Sequence, residues 1–526
     1  MGIPSYFSYI IKNYSNIIRS IQYHKENGTT FDSLYMDCNS IIYDIYNGIK
    51  TNNYENVSVL EIFLIEEVIR KIEFYIELIQ PSNTLYITFD GVAPLAKMEQ
   101  QRTRRYKSYY MNNKKDESQL WNTCSITPGT SFMNNLSKKI SKHFSSKEKK
   151  YNIKKIIVSG SDYHGEGEHK IFEYIRNNQS NDNILVYGLD SDLIMLSLFH
   201  YELTNNIYVF REAPEFLKSK IYDSDKSGIL FMDIKELSLS IMKEMSANDT
   251  FCVYDYIFLC FFLGNDFLPH FPSLNIRTNG IQILMETYRK FIGNYTNRFF
   301  ISKETGKIQW NWVYLFISEI AKHEHNYLLK ESIQRDKFDN YKWEQTTPEE
   351  KENLINNVPV IYRIEEKYIF PQEQGWEERY YRSLFHKERT TENVKNICEN
   401  YLSGLEWVFK YYTEGCPHWR WKYHYNYPPL FVDLLKYIPK EEKDFIVNSE
   451  NNVPFKPQVQ LSYVIPIHNH DLLLKKHSKI LDTKYKDYFT SNFDFQWAYC
   501  RYFWESHIIL PEVPLHILES WEKELM

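Results

Sequence analysis

The sequence predicts an α/β protein: a mostly parallel sheet flanked by helices, with a mainly helical, aromatic-rich second region packed around it. Three observations predict it. Short apolar, β-rich runs alternate with helical periods through residues 34–232. Asp37, Asp90 and Asp190 each stand at the carboxyl end of a predicted strand, where open α/β sheets bind their ligands. From residue 358 onward the chain is dense in Tyr, Trp and Phe, and its periodicity is weak.

The elements follow in order. Residues 34–37 read as a short buried strand running into a helix, and 57–80 as a long amphipathic helix closed by Pro81. Residues 84–89 are a β-rich strand ending at Asp90-Gly91; 154–159 is the next strand, and a helix begins over 165–176. Residues 183–188 read as strand and 190–198 as helix, with further strands at 207–210 and 229–232. The lysine-rich stretch 137–150 is expected as a solvated helix and loop, and the apolar run 258–263 as a buried helix. These elements divide the chain into a first domain over 1–300, a charged helical linker over 301–357 and a second region over 358–526.

Composition narrows the class. At 526 residues with 43% hydrophobic content, the chain can bury a large core. A net charge of −6 excludes a uniformly basic nucleic-acid coat, but not acids combined with a local basic patch. Seven scattered cysteines without a CxxC pair argue against a zinc knuckle or disulfide scaffold and for a reducing compartment, and with no nuclear-localisation cluster in the sequence the cytoplasm is the default expectation. The opening MGIPSYFSYI lacks the basic start and apolar run of a signal peptide, and no stretch is long and uncharged enough to span a bilayer. No membrane partner is expected.

Two acidic pairs join the strand-end aspartates: Glu166-Gly-Glu168 at a helix start and Asp190-Ser-Asp192 after a strand. In extended backbone, residues i and i+2 point the same way, so each pair can hold one cation or bridge two. Each acid alone suits a helix cap or a turn, and each pair a solvated helix start. Crowding them is costly without cations, and magnesium accepts all-oxygen ligands. Asp266, in the turn Leu263-Gly-Asn-Asp-Phe-Leu-Pro269, is a further candidate. Two divalent ions roughly 4 Å apart suit phosphodiester hydrolysis without a nucleophilic Ser or Cys. Directly after Asp90, the run DGVAPLAKMEQQRTRRYKSYY places Lys97, Gln101 and Arg104 on one helix face with Arg105 adjacent, while Arg102 points elsewhere. That face is a candidate phosphate pocket, although exposed basic faces are common.

These residues resemble the Xrn/Rat family of 5′→3′ exoribonucleases. The ordered matches are MGIPSYF, LYMDCNSIIY, ITFDGVAPLAKMEQQRTRRYKS, ITPGTSFM, VSGSDYHGEGEHKIFEYIR, VYGLDSDLIMLSL and FLGNDFLPHFP. WEERYYRSLF, YLSGLEWVFKYY and GCPHWRWKYHYNYPP are similar to its second conserved region, and PFKPQVQL is a weaker match to a closing segment. The resemblance covers most of the chain and implies a PIN/flap-nuclease-like catalytic lobe in a minimal catalytic core. It implies that Asp37, Asp90, Glu166, Glu168, Asp190, Asp192 and Asp266 bind two Mg2+, with Mn2+ as a substitute. It also implies that Lys97, Gln101, Arg104 and Arg105 hold a 5′-monophosphate. The expected substrate is 5′-monophosphorylated single-stranded RNA, degraded processively to nucleoside 5′-monophosphates, and a decapping enzyme or other RNA-decay factor is an expected partner. Where the family usually carries a base-stacking histidine this chain has Tyr43, and the opposing aromatic is expected at Trp419 or Trp421. Two alternatives stay open: a structure-specific 5′ flap-type nuclease, and a catalytically silent RNA-binding scaffold.

Overall fold

The computed structural model of the chain describes residues 2–3, 5–49, 54–114, 121–214, 228–247, 249–447 and 452–525, so Met1 and Pro4 of the opening motif lie outside the described residues. Its main sheet contains β1 (Ile18–Arg19), β2 (Ser33–Asp37), β3 (Thr84–Thr88), β4 (Lys155–Ser159), β5 (Asn183–Tyr187), β6 (Asn206–Glu212) and β7 (Ile229–Asp233). The strand order is β1-β7-β6-β5-β2-β3-β4. Strands β4, β3, β2, β5 and β6 run parallel, while β7 pairs antiparallel with β6 and β1 with β7. The predicted α/β class and its mostly parallel sheet are what the fold shows.

The alternation of side chains across the pleat explains why both faces are covered. Tyr35, Tyr86, Val186, Val209 and Met232 point to one face, into a core that continues through the second region as far as Tyr499. Leu34, Met36, Leu85, Ile87, Leu185, Tyr187 and Phe210 point to the other, against Leu64, Val68, Ile72, Leu136 and Ile140. The helix Val57–Ile79 starts at Asn56, whose side chain accepts from the Val59 N–H, and stops where Gln80 turns left-handed before Pro81.

Two charged stretches carry more buried surface than their composition suggests. The lysine-rich stretch 137–150 runs from the helix Ser131–Phe144, which also buries Phe132, Met133, Leu136, Ile140 and Phe144, into the short helix Glu148–Tyr151, which buries nothing, and most of its lysines are exposed. The stretch 301–357 is largely helical as expected, and its longest helix, Trp310–Asp336, buries Trp310, Val313, Phe316, Ile317, Ile320 and Leu328 in the large core. The apolar run 258–263 is buried as expected, as the end of the helix Cys252–Cys260 and the 3-10 turn Phe261–Leu263. No helix among the described residues is long and apolar enough to cross a membrane. A third core, built from Phe455, Val459, Tyr463 and Trp521, packs on Val92, Leu95 and Met98 and fixes the back of the basic helix Leu95–Lys114.

Candidate active site

The four adjacent parallel strands β4, β3, β2 and β5 end together, and six of the acids follow from their chain ends. Asp37 is the last residue of β2, and Asp90 lies just past β3. Glu166 caps the helix Gly167–Asn177 with Glu168 in its first turn, and Asp192 opens the helix Asp192–His200 two residues after Asp190. Asp266 arrives from the other side: Gly264 adopts φ 84, and Asn265 Oδ1 accepts from the N–H groups of Phe267 and Leu268, each at 2.9 Å, turning the chain toward the sheet edge.

Electrostatics shows that the acids converge. Burial, then Asp90 and Asp190, pushes the Asp37 carboxyl well above the ordinary range. Burial pushes Glu168 up as well; Lys97 opposes this, and Glu166, Asp192 and Asp37 reinforce it. Burial and then Asp266 raise Asp192 to about 7. At Asp266 burial also works against ionisation, but Lys97 overrides it and holds the carboxyl well below the usual range. Lys97 therefore serves as internal counter-ion: its Nζ lies 2.5 Å from Glu166 Oε2 and 2.8 Å from Asp266 Oδ2.

Other partners fix each carboxylate. The Gly2 N–H donates to Asp266 Oδ1 at 3.1 Å. Asn39 Nδ2 and the Gly167 N–H donate to the two oxygens of Asp90 at 2.6 and 2.8 Å. The Tyr411 hydroxyl donates to Glu166 Oε1 at 2.7 Å. Asp37 Oδ1 is buried with no hydrogen-bond partner. An orphaned oxygen within a crowd of buried carboxylates fits a hard divalent cation with all-oxygen ligands, and such a cation would relieve the repulsion. Glu166, Glu168 and His169 offer ligand atoms that all lie within 4.8 Å of one another.

The loops that carry these acids touch backbone to backbone. The Gly91 N–H donates to the Gly165 carbonyl at 2.9 Å, and the Gly165 N–H to the Val92 carbonyl at 2.8 Å. A Cβ on Gly91 would sit 1.5 Å from the Tyr163 carbonyl oxygen, a clash that only backbone movement relieves. Gly91→Ala is therefore expected to separate Asp90 from Glu166, with loss of divalent-ion binding and a lowered melting temperature. A calorimetric Mn2+ titration beside thermal unfolding checks both, and an Ala variant that matches the parent in each would contradict the close approach.

The basic helix places its predicted residues unequally. Lys97 is committed to the acids, as described. Gln101 is buried and its Oε1 accepts from Gln460 Nε2 at 3.0 Å. Arg105 is buried on Thr127 Oγ1 and the Ile126 carbonyl. Arg104 is exposed into a cavity of about 720 Å³ that also touches Gly2, Asp266, Tyr425 and Trp504. Desolvation within the cavity opposes its charge, while Tyr43 and then Asp190 and Asp266 favour it and raise its pKa. Arg102, off the predicted face, is buried and donates to the carbonyls of Pro511 and Tyr488.

The aromatic candidates separate as well. Tyr43 is half-buried on the core beneath β2 and close enough to Arg104 and Arg105 to interact with both charges. Trp419 meets His164 edge-on at 5.2 Å, and its carbonyl accepts from the Leu95 N–H at the start of the basic helix. Trp421 stacks on Trp407 at 5.2 Å and its indole N–H donates to Ser403, so its face is used within the protein. Asn39, His169 and Tyr411 are site residues that spacing alone did not single out. They lie within the quoted segments LYMDCNSIIY, VSGSDYHGEGEHKIFEYIR and YLSGLEWVFKYY.

A parallel sheet gathering acids at its carboxyl edge beside a basic helix defines a PIN-like α/β protein. The chain belongs to the XRN 5′-3′ exonuclease family: residues 1–213 match the XRN 5′-3′ exonuclease N-terminus, and residues 247–369 and 364–523 match the Xrn1 helical domain. Among curated relatives, 5′-3′ exoribonuclease 1 of Schizosaccharomyces pombe is 26% identical across 97% of this chain and 47% of its own length. The 5′-3′ exoribonuclease 2 homolog of Drosophila melanogaster is 25% identical across 98% of this chain and 70% of its own. Human 5′-3′ exoribonuclease 1 is 26% identical across 99% of this chain and 34% of its own, so the chain spans about a third to seven-tenths of these relatives.

Proposed function

We propose that this protein is a magnesium-dependent 5′→3′ exoribonuclease that hydrolyses 5′-monophosphorylated single-stranded RNA processively to nucleoside 5′-monophosphates. The observation that carries this reading is Lys97, which rises from the basic helix to lie between Glu166 and Asp266 and so joins a phosphate-binding face to the acid cluster. Bound to Asp37, Asp90, Glu166, Glu168, Asp190, Asp192 and Asp266, two magnesium ions would supply charge to activate water and to stabilise the leaving 3′-oxygen.

The chain's own residues would do the rest. Arg104 presents a guanidinium to the 5′-phosphate, with Gln101 and Lys97 on the same helix face. Buried Arg105 keeps that face positive and rigid through its bonds to Thr127 and Ile126. Tyr43 and Trp419 offer ring faces for the first bases, a sequence-tolerant grip. Polarity follows, because the end that carries the phosphate is the end held beside the acids.

The test compares 5′-monophosphate, 5′-triphosphate, 5′-hydroxyl and capped RNA, with a 5′-flap DNA, in magnesium. Rapid loss of the 5′-monophosphate RNA alone is expected. Preference for the flap would replace this reading with a structure-specific nuclease, and binding without hydrolysis would replace it with a scaffold. Arg104→Ala is expected to cut the preference for 5′-phosphate over 5′-hydroxyl ends roughly 10–100-fold, the worth of one charge-assisted hydrogen bond. Equal slowing of both ends in the same decay assay would place the phosphate elsewhere.

A further inference from the structure

We propose that Tyr411 is a positioning residue for the carboxylate of Glu166, held in register by a stack of aromatic rings that reaches in from the second region. The inference deepens the metal-site reading above and rests on it. Tyr411 belongs to the helix Thr391–Thr413 and lies 245 residues from Glu166 in sequence, yet its hydroxyl donates to Glu166 Oε1 at 2.7 Å. Lys97 holds the other oxygen, Oε2, at 2.5 Å. One carboxylate thus has each oxygen engaged by a different partner, which leaves its plane little freedom to rotate.

The two partners act differently. Lys97 neutralises charge, so it competes with a cation. A phenol donates one hydrogen bond and adds no formal charge, so it can orient the carboxylate while leaving it anionic for a metal.

The ring of Tyr411 is itself located by packing against neighbouring rings. It stacks on His169, three residues beyond Glu166, with centroids 3.7 Å apart and planes at 20°. Trp407 lies at 4.7 Å from it with the planes tilted by 33°, and Trp407 in turn stacks on Trp421 at 5.2 Å. Trp407 is fully buried and its indole N–H donates to the His418 carbonyl at 2.9 Å. Phe267, next to Asp266, meets both Trp407 and Tyr411 edge-on at 5.0 and 5.5 Å. Four rings in series therefore connect the segment around Trp419 to the acid cluster, and Tyr411 is the member that carries a polar contact into it.

Tyr411→Phe keeps the ring and removes only the hydroxyl. Mn2+ binding to the RNA-free protein, followed by calorimetry, is expected to weaken roughly 10–100-fold, the usual cost of losing a partner that orients a metal ligand. In the decay assay kcat should fall while KM for 5′-monophosphate RNA holds. In a Glu166→Ala background, which removes the acceptor, the added Tyr411→Phe change should cause no further loss of the residual Mn2+ affinity. Unchanged Mn2+ affinity in the single variant, or a further loss in the Ala background, would overturn the positioning role. A parent protein that binds no Mn2+ would overturn the metal reading together with this inference.

Discussion

Asp190→Ala and Asp192→Ala are each expected to slow RNA hydrolysis by about 10³-fold or more, while 5′-monophosphate RNA still binds within severalfold of the parent. That rate loss corresponds to several kcal/mol of transition-state charge stabilisation. Both acids lie on the connection after β5 and face the acids of β2 and the Asp266 turn. Asp192 is 3% exposed and stands at the first turn of a helix whose every residue is buried, so truncating it removes a carboxylate without freeing a loop to replace it. The side chains proposed to bind the 5′-phosphate belong to a different element, the helix Leu95–Lys114, and keep their own supports on Gln460, Thr127 and Ile126. Single-turnover decay gives the rate and fluorescence anisotropy with a labelled 5′-monophosphate oligomer gives the binding. Parent-like turnover in either variant would remove that residue from the hydrolytic centre.

The legible part of this molecule is the part that local periodicity writes. Residues 84–89 read as a strand because Leu85, Ile87 and Phe89 alternate with Tyr86 and Thr88, and the observed β3, Thr84–Thr88, places Asp90 just beyond its end. Asp37 and Asp190 were placed by the same rule, and the Glu166–Glu168 and Asp190–Asp192 spacings are visible by eye. Strand β1 has two residues, too short to show any period. The apolar stripe of Ser131–Phe144 begins at Phe132 and Met133, ahead of the lysines, so a window opening at residue 137 sees mostly charge. What spacing cannot show is pairing across the chain. Lys97 meets Asp266 at a separation of 169 residues and Gly2 meets it at 264, and no local pattern encodes either contact. The stacking of Trp421 on Trp407, a residue of another element, is a contact of the same kind.

Lys97→Ala should have the largest effect on stability. Its side chain is 10% exposed, and those of Glu166 and Asp266 are 5% and 4% exposed. Removing the ammonium leaves two buried carboxylates facing Glu168 and Asp192 without their shared cation, a loss of about 3–5 kcal/mol in the metal-free protein. The pH dependence has a defined sign. Asp266 is held below its unfolded range by Lys97, so its share of this stability is present above the ordinary carboxylate pKa and disappears as pH falls through the depressed value. Lys97 is raised well above the ordinary lysine range by Asp266 and Glu166 against the opposing effect of burial, so its share is complete at neutral pH. Parent and variant should therefore differ most near neutrality and converge in acid, once the carboxyls protonate. Millimolar Mg2+ or Mn2+ should also narrow the gap, because a bound cation takes over the neutralisation that Lys97 provides. Unfolding followed at neutral and acid pH, with and without the cation, separates these effects. A variant as stable as the parent at neutral pH without metal would show that the acids do not depend on Lys97, and the link between the basic helix and the acid cluster would lose its structural basis.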